Sequence, residues 1–220
     1  MGLFYHAATT TMKILLIAFT RCRVEGRENV PRSGPLIIVS NHLNNIDPPL
    51  LGASIPRTIN FMAKQELFER YWVRAIVQGY GAFRVRRGQL DRKSLHQALD
   101  QLRDGKVIGM FPEGKRSFNK QLQSPQPGAA LLASRSGARM LPVGISGSDQ
   151  MKGIGSILNR PRITVTIGRP FFLSAAGGRR TRLRLAQDSD SIMQHIAALL
   201  PESYRGEYGH QHGEESDNGD

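Results

Sequence analysis

From residue 36 onward, short apolar runs bounded by turn residues alternate with stretches whose apolar positions recur at helical spacing. Leu36-Ile37-Ile38-Val39 follows the turn signal Pro31-Arg32-Ser33-Gly34-Pro35 and predicts a buried strand. Thr58–Met62 and Val107–Phe111 predict two more, and Met140–Ile145 a fourth. Phe83-Arg84-Val85 predicts a short strand after Gly79 and Gly81. Ile163–Ile167 alternates and predicts a strand with one wet face. Between these, residues 65–77 gather Leu67, Phe68, Trp72, Val73, Ile76 and Val77 at helical spacing. Residues 91–103 carry the inner stripe Leu95, Ala98, Leu99 and Leu102, closed by Asp104-Gly105. Residues 128–136 and 188–200 predict two further helices. In the last of them His195 shares a face with Ile192, Ile196 and Leu199 and reads as a partly exposed helix residue, not a ligand.

This alternation implies an α/β domain, a mostly parallel central sheet flanked by helices, over residues 24–205. Ligands of such sheets bind beyond the C-terminal ends of the strands, and the polar clusters of this chain fall just after its strands. Residues 206–220 are Gly, His and acidic residues without apolar anchors and predict a disordered tail. Ahead of the domain, the apolar run Ile14–Phe19 is far shorter than the ~20 residues of a membrane-spanning helix. Arg21, Cys22 and Arg23 follow it where small residues would prepare a signal-peptide cleavage. Residues 1–23 therefore read either as an amphipathic membrane-associating segment, with Lys13, Arg21 and Arg23 able to meet headgroups, or as a core-packing helix.

Charge narrows the partners. Thirty Lys and Arg against eighteen Asp and Glu give +12, which draws a protein toward nucleic acid, anionic lipid or phosphorylated substrates. Aromatics make up only 7% of residues and no zinc-knuckle or stacking pattern is present, which disfavours a nucleic-acid module. The single cysteine, Cys22, excludes a disulfide framework within the chain and fits a reducing compartment.

Three clusters carry candidate chemistry. In Ser40-Asn41-His42-Leu43-Asn44-Asn45-Ile46-Asp47-Pro48, a strand delivers His42, and Asp47-Pro48 signals a helix start with Asp as cap and Pro at the first helical position. A loop that turns back there brings Asp47 to His42. A carboxylate that orients an imidazole and balances its charge makes a general base, which contributes roughly 10²–10⁴-fold to a rate. From this segment alone a capped helix beside a packed histidine is equally consistent, and a metal site lacks further ligands nearby. Gly81-Ala82-Phe83-Arg84-Val85-Arg86-Arg87 sets three arginines around a strand end, suited to phosphate or to a solvated edge. Phe111-Pro112-Glu113-Gly114-Lys115-Arg116-Ser117 puts a carboxylate, a glycine and two cations directly after a strand.

In this order and spacing the clusters resemble the glycerolipid acyltransferase family, whose best-known members are lysophosphatidic acid acyltransferases. The first family block, Asn-His, four residues, then Asp, is met by Asn41, His42 and Asp47. The second, Gly, five residues, then Arg, is met by Gly81 and Arg87. The third, Phe-Pro-Glu-Gly, is met by Phe111–Gly114, with Arg116 and Ser117 also matching, and the fourth, apolar-Pro-Val, by Leu141-Pro142-Val143. Lys64 also stands where the family often has a lysine. The chain departs from the pattern at Lys115, usually Thr or Ser, and at Pro127, where a basic residue is common.

The resemblance implies that His42, oriented by Asp47, takes the proton of an acceptor hydroxyl as it attacks an acyl thioester, with no covalent acyl-enzyme. It implies that Arg87, Glu113, Gly114 and Arg116 form the acceptor's phosphate site, with Lys64, Arg84 and Arg86 as further substrate-binding candidates. No cofactor or metal is implied; acyl-CoA or acyl carrier protein serves as co-substrate. The partners implied are a lysophospholipid, the acyl thioester and a membrane surface, met peripherally from the cytoplasmic face. Arg169, Arg179, Arg180, Arg182 and Arg184 are a further candidate basic patch for anionic lipid. Other acceptors, a lyso-ornithine lipid or glycerol-3-phosphate, fit the same motifs.

Overall fold

A strand with no polar position on either face needs both faces covered, and Leu36-Ile37-Ile38-Val39 meets that condition at the centre of the fold. In the computed structural model of the chain it forms strand β2 (Leu36–Ser40), buried throughout. Alternate side chains enter opposite layers. Ile37 and Val39 pack with Leu95 and Ala98 of α3 (Arg92–Arg103), Ala130 and Leu132 of α4 (Gly128–Ser136), and Ile192 and Ile196 of α5 (Arg182–Ala197). Leu36 and Ile38 pack with Leu16 of α1 (Gly2–Phe19) and Leu50 and Leu51 of α2 (Asp47–Ser54). The structure describes residues 2–64, 69, 83–85, 92–151, 153, 155, 159–173 and 181–209. The helix expected at 65–77 lies outside them.

The other described strands are β1 (Arg21–Glu25), β3 (Ile59–Lys64), β4 (Phe83–Val85), β5 (Val107–Met110), β6 (Arg139–Ser146) and β7 (Arg162–Ile167). All join one sheet in the order β1-β7-β6-β2-β5-β3-β4. From β6 across to β4 every pairing is parallel, as the alternation of strands and helices implied. The outer pair differs: β7 runs antiparallel to β6, and β1 runs parallel to β7. The wet face expected of β7 is seen, with Ile163, Val165 and Ile167 buried and Thr164 and Thr166 partly exposed.

Two boundaries shift from the sequence reading. The N-terminal segment does not run to residue 23. The Thr20 hydroxyl and N–H both bond back to the Leu16 carbonyl, at 2.6 and 2.9 Å, and close α1. Arg21 to Arg23 then pair with Arg162 to Thr164 and cover the free edge of β7. Helix α1 has one buried and one exposed apolar face. Tyr5 and Leu16 are buried, while Ile14, Leu15, Ile17 and Phe19 are exposed. At the other end, Gly206–Gly209 form a 3-10 turn, and Tyr204 and Tyr208 pack against the first core layer, so the fold extends past residue 205. Residues 210–220 lie outside the described residues.

Candidate active site

The parallel order β6-β2-β5 places the loops that follow these three strands side by side at one end of the sheet. Asn41 marks the exit from β2. Its buried carboxamide donates to the Ile145 carbonyl and accepts from the Ile145 N–H, both at 2.8 Å, and so stands in for one more step of strand pairing with β6. The next residue, His42, leaves the sheet at a fixed point.

Asp47 then organises the loop. Its side chain is 0% exposed, and its Oδ2 lies 2.9 Å from His42 Nδ1. The same oxygen accepts the backbone N–H groups of Leu43 and Asn44, each at 2.7 Å. The sequence suggested Asp47 as the cap of α2. The structure places Ile46 at that position, and Asp47 instead turns its carboxylate back over the preceding loop, with proline in the first turn of α2 as expected. Asn44 extends the framework, since its carboxamide donates to the carbonyls of Ser148 and Met151, at 3.1 and 2.9 Å, in the turn after β6.

The His42 ring stacks on Phe111 with centroids 4.1 Å apart, and its side chain is 17% exposed. Asp47 occupies Nδ1, so Nε2 is the nitrogen available to a substrate proton. Packing against an aromatic face with a carboxylate behind it holds the ring in one orientation.

Glu113 binds the third cluster to the first. Its Oε1 accepts the His42 backbone N–H at 3.1 Å, and Oε2 accepts the Gln123 N–H at 3.2 Å. It is 1% exposed. The resemblance implied a place in the acceptor's phosphate site, but burial and two backbone bonds make Glu113 a brace of the loop. Burial raises its pKa to about 7; the two N–H groups oppose this, Asp47 adds to it, and Lys115 opposes it. Gly114 turns the chain with φ +67°, a conformation that favours glycine, so that Lys115 is exposed beyond it. The Ser117 N–H donates to the His42 carbonyl at 2.8 Å. The Arg116 guanidinium lies 5.3 Å from the ring centre of Phe118, which is 83% exposed.

The structure thus brings His42, Asp47 and Glu113 together, with Gly114 and Arg116 on the adjoining loop. Lys64 ends β3 and Arg84 lies in β4, both described at the backbone only. Arg86 and Arg87 lie outside the described residues. Asn41, Asn44 and Ser117 have positioning roles that the sequence reading did not assign. The run of carboxamides around His42 was the available signal, because short polar side chains directly after a buried strand must find backbone partners.

Comparison with known proteins bears on the family and the fold. A sequence model described as Acyltransferase matches residues 21–146. The chain is 26% identical to a 1-acyl-sn-glycerol-3-phosphate acyltransferase of Bacillus subtilis, over 89% of this chain and 96% of that one. It is 35% identical to a lyso-ornithine lipid O-acyltransferase of Pseudomonas aeruginosa, over 56% of this chain and 46% of that one. The Bacillus protein apart, the chain spans about half the length of the curated relatives it matches. The crystal structure of the 1-acyl-sn-glycerophosphate (LPA) acyltransferase from Thermotoga maritima has the same fold, with a TM-score of 0.68 and 22% identity over 89% of this chain and 78% of that one.

The raised pKa of Glu113 has a consequence for stability. Folded protein holds this proton more tightly than unfolded protein, so the contribution is full below about pH 4.5 and fades as pH rises toward about 7. Urea unfolding of the wild type and Glu113→Gln across this window will show the stability difference between them fall with rising pH, on the order of 3 kcal/mol in all, and flatten above pH 7. A difference independent of pH would contradict a titrating, buried Glu113.

Proposed function

Because the chain belongs to the acyltransferase family, we propose that it moves a fatty acyl chain from an acyl thioester to the free hydroxyl of lysophosphatidic acid, giving phosphatidic acid. The observation that carries this reading is the His42–Asp47 pair, 2.9 Å apart, at the strand ends where the Phe111–Gly114 loop also emerges. His42 Nε2 takes the proton of the acceptor hydroxyl as its oxygen attacks the thioester carbonyl carbon. The carbon–sulfur bond breaks, and the thiolate leaves with the proton returned from the imidazolium, whose charge Asp47 balances. Two bound substrates held in line account for the rest of the catalysis, without an acyl-enzyme and without a cofactor. The donor is acyl-CoA or acyl carrier protein. Arg87, with Gly114 and Arg116, binds the acceptor's phosphate, and Lys64, Arg84 and Arg86 are further substrate-binding residues.

The site works on lipid, and the reading includes peripheral docking at the cytoplasmic face of a membrane by α1, the helical part of the segment 1–23, ahead of the catalytic domain. No helix among the described residues is long and apolar enough to cross a membrane. Strand direction supports docking by α1. Since β7 opposes β6 and β1 follows β7, the start of β1, directly after Phe19, lies at the same end of the sheet as His42. There Ile14, Leu15, Ile17 and Phe19 are exposed beside Lys13, Arg21, Arg160 and Arg162. Arg182 and Arg184, from the basic patch read in the sequence, belong to the far end. His195 stacks on Phe171, which pairs with Met140 low on β6, and α5 begins further down still.

A second acceptor deserves the same assay, because the similarity to a lyso-ornithine lipid O-acyltransferase reaches 35% over its span. With a labelled acyl thioester in mixed micelles, wild type will acylate lysophosphatidic acid in preference to lyso-ornithine lipid and glycerol-3-phosphate. His42→Ala will lose at least about 10²-fold. Equal rates in the two proteins would remove His42 from catalysis, and a preference for lyso-ornithine lipid would change the acceptor. Separately, Ile14→Asn with Ile17→Asn will weaken binding to phosphatidylglycerol vesicles about tenfold or more and leave turnover of a short-chain, micelle-free acceptor unchanged. Undiminished vesicle binding would refute docking by α1.

A further inference from the structure

The C-terminal hook of the chain lies outside the span matched by the family, and one of its tyrosines hydrogen-bonds the loops around the site. After α5 the chain turns at Pro201 into the short helix α6 (Glu202–Arg205), and Tyr204 reaches two of the three loops described above. Its carbonyl accepts the Leu122 N–H at 2.9 Å, its phenol donates to Asp149 Oδ1 at 2.8 Å, and its phenol oxygen accepts the Gly147 N–H at 3.2 Å. Asp149 is 8% exposed and pairs at Oδ2 with Lys120 Nζ at 2.9 Å. Lys120 holds a left-handed backbone conformation, φ +69°, uncommon for a residue with a side chain.

Both branches end on His42. On one side Leu122 is flanked by Gln121, whose carbonyl accepts the Ser117 hydroxyl at 2.6 Å, and by Gln123, whose N–H goes to Glu113. Ser117 and Glu113 in turn hold the two sides of the His42 main chain. On the other side Gly147 opens the turn whose Ser148 and Met151 carbonyls hold Asn44, and Asn44 donates its N–H to the Asp47 oxygen that binds the imidazole. A phenol suits this junction because one hydroxyl can donate to a carboxylate and accept from an amide at once.

We propose that Tyr204, with Asp149 and Lys120, is a positioning element that sets the placement of His42 by clamping the loops after β5 and β6 together. It touches no reacting atom, and its catalytic consequence rests on the reading of His42 as general base. Tyr204→Phe keeps the ring and the Leu122 bond and removes only the hydroxyl. We expect kcat about tenfold lower with both KM values within about twofold, and amide hydrogen exchange at His42 and Ser117 about tenfold faster. In an Asn44→Ala background the same change will alter kcat by less than about twofold, because one relay is already cut. Lys120→Met, at an exposed position, will give a smaller exchange signature at the same amides. Unchanged exchange in both variants, or losses from Tyr204→Phe and Asn44→Ala that multiply independently, would overturn the proposal. A wild type that transfers no acyl group would instead overturn the functional reading, and exchange would still decide on Tyr204.

Discussion

The main chain of His42 is held from both sides by one loop, and the rest of the site depends on this. Its N–H goes to Glu113 Oε1 at 3.1 Å and its carbonyl to the Ser117 N–H at 2.8 Å. A residue that leaves a sheet would ordinarily place its peptide groups in water, free to rotate. Here a neighbouring parallel strand delivers the partners, because β5 lies directly beside β2 and its following loop emerges at the same level. The imidazole is fixed at its backbone first, then at Nδ1 by Asp47, then at its face by Phe111. Each contact removes a different freedom, and the sum leaves Nε2 with little orientational entropy still to lose, which is what the proposed proton transfer requires.

That arrangement places two buried carboxylates around one histidine, and the surroundings treat them differently. Asp47 collects three N–H donors on a single oxygen. Glu113 has one backbone donor on each oxygen, too few to offset its burial. The Glu113 carboxyl is therefore pushed up to about 7, chiefly by its burial. The nearby Asp47 adds a smaller upward push to that of burial.

Much of this was legible in the sequence because it follows from periodicity. The all-apolar run at Leu36–Val39 announced a doubly covered strand, and the stripe Leu95, Ala98 and Leu102 announced the helix face that covers it. His42 and Asp47 were found from a strand end, a spacing and a helix-start signal. What escaped was set by distant partners. β1 has the half-polar sequence Arg21-Cys22-Arg23-Val24-Glu25 and becomes a strand only because β7 offers an open edge. Asn41 read only as part of a motif and Glu113 as part of a phosphate site, yet their partners, Ile145, Gln123 and the peptide of His42, are supplied by tertiary packing. Tyr204 lies in a region without a motif, and only the closing of the chain over the strand ends gives it a role.

Lys115 shows how one departure from the family pattern is absorbed. The resemblance puts a small hydroxyl residue there, and a lysine at that point adds a full charge beside a buried carboxyl. Gly114, at φ +67°, turns the chain so that Lys115 stands in solvent while Glu113 remains enclosed. The cation lowers the Glu113 pKa, but solvent screens it, and among the influences on that carboxyl it ranks last, behind burial and both backbone bonds. The lysine therefore leaves the brace intact, and its charge faces outward beside Arg116, toward any anionic group that approaches the ends of these strands.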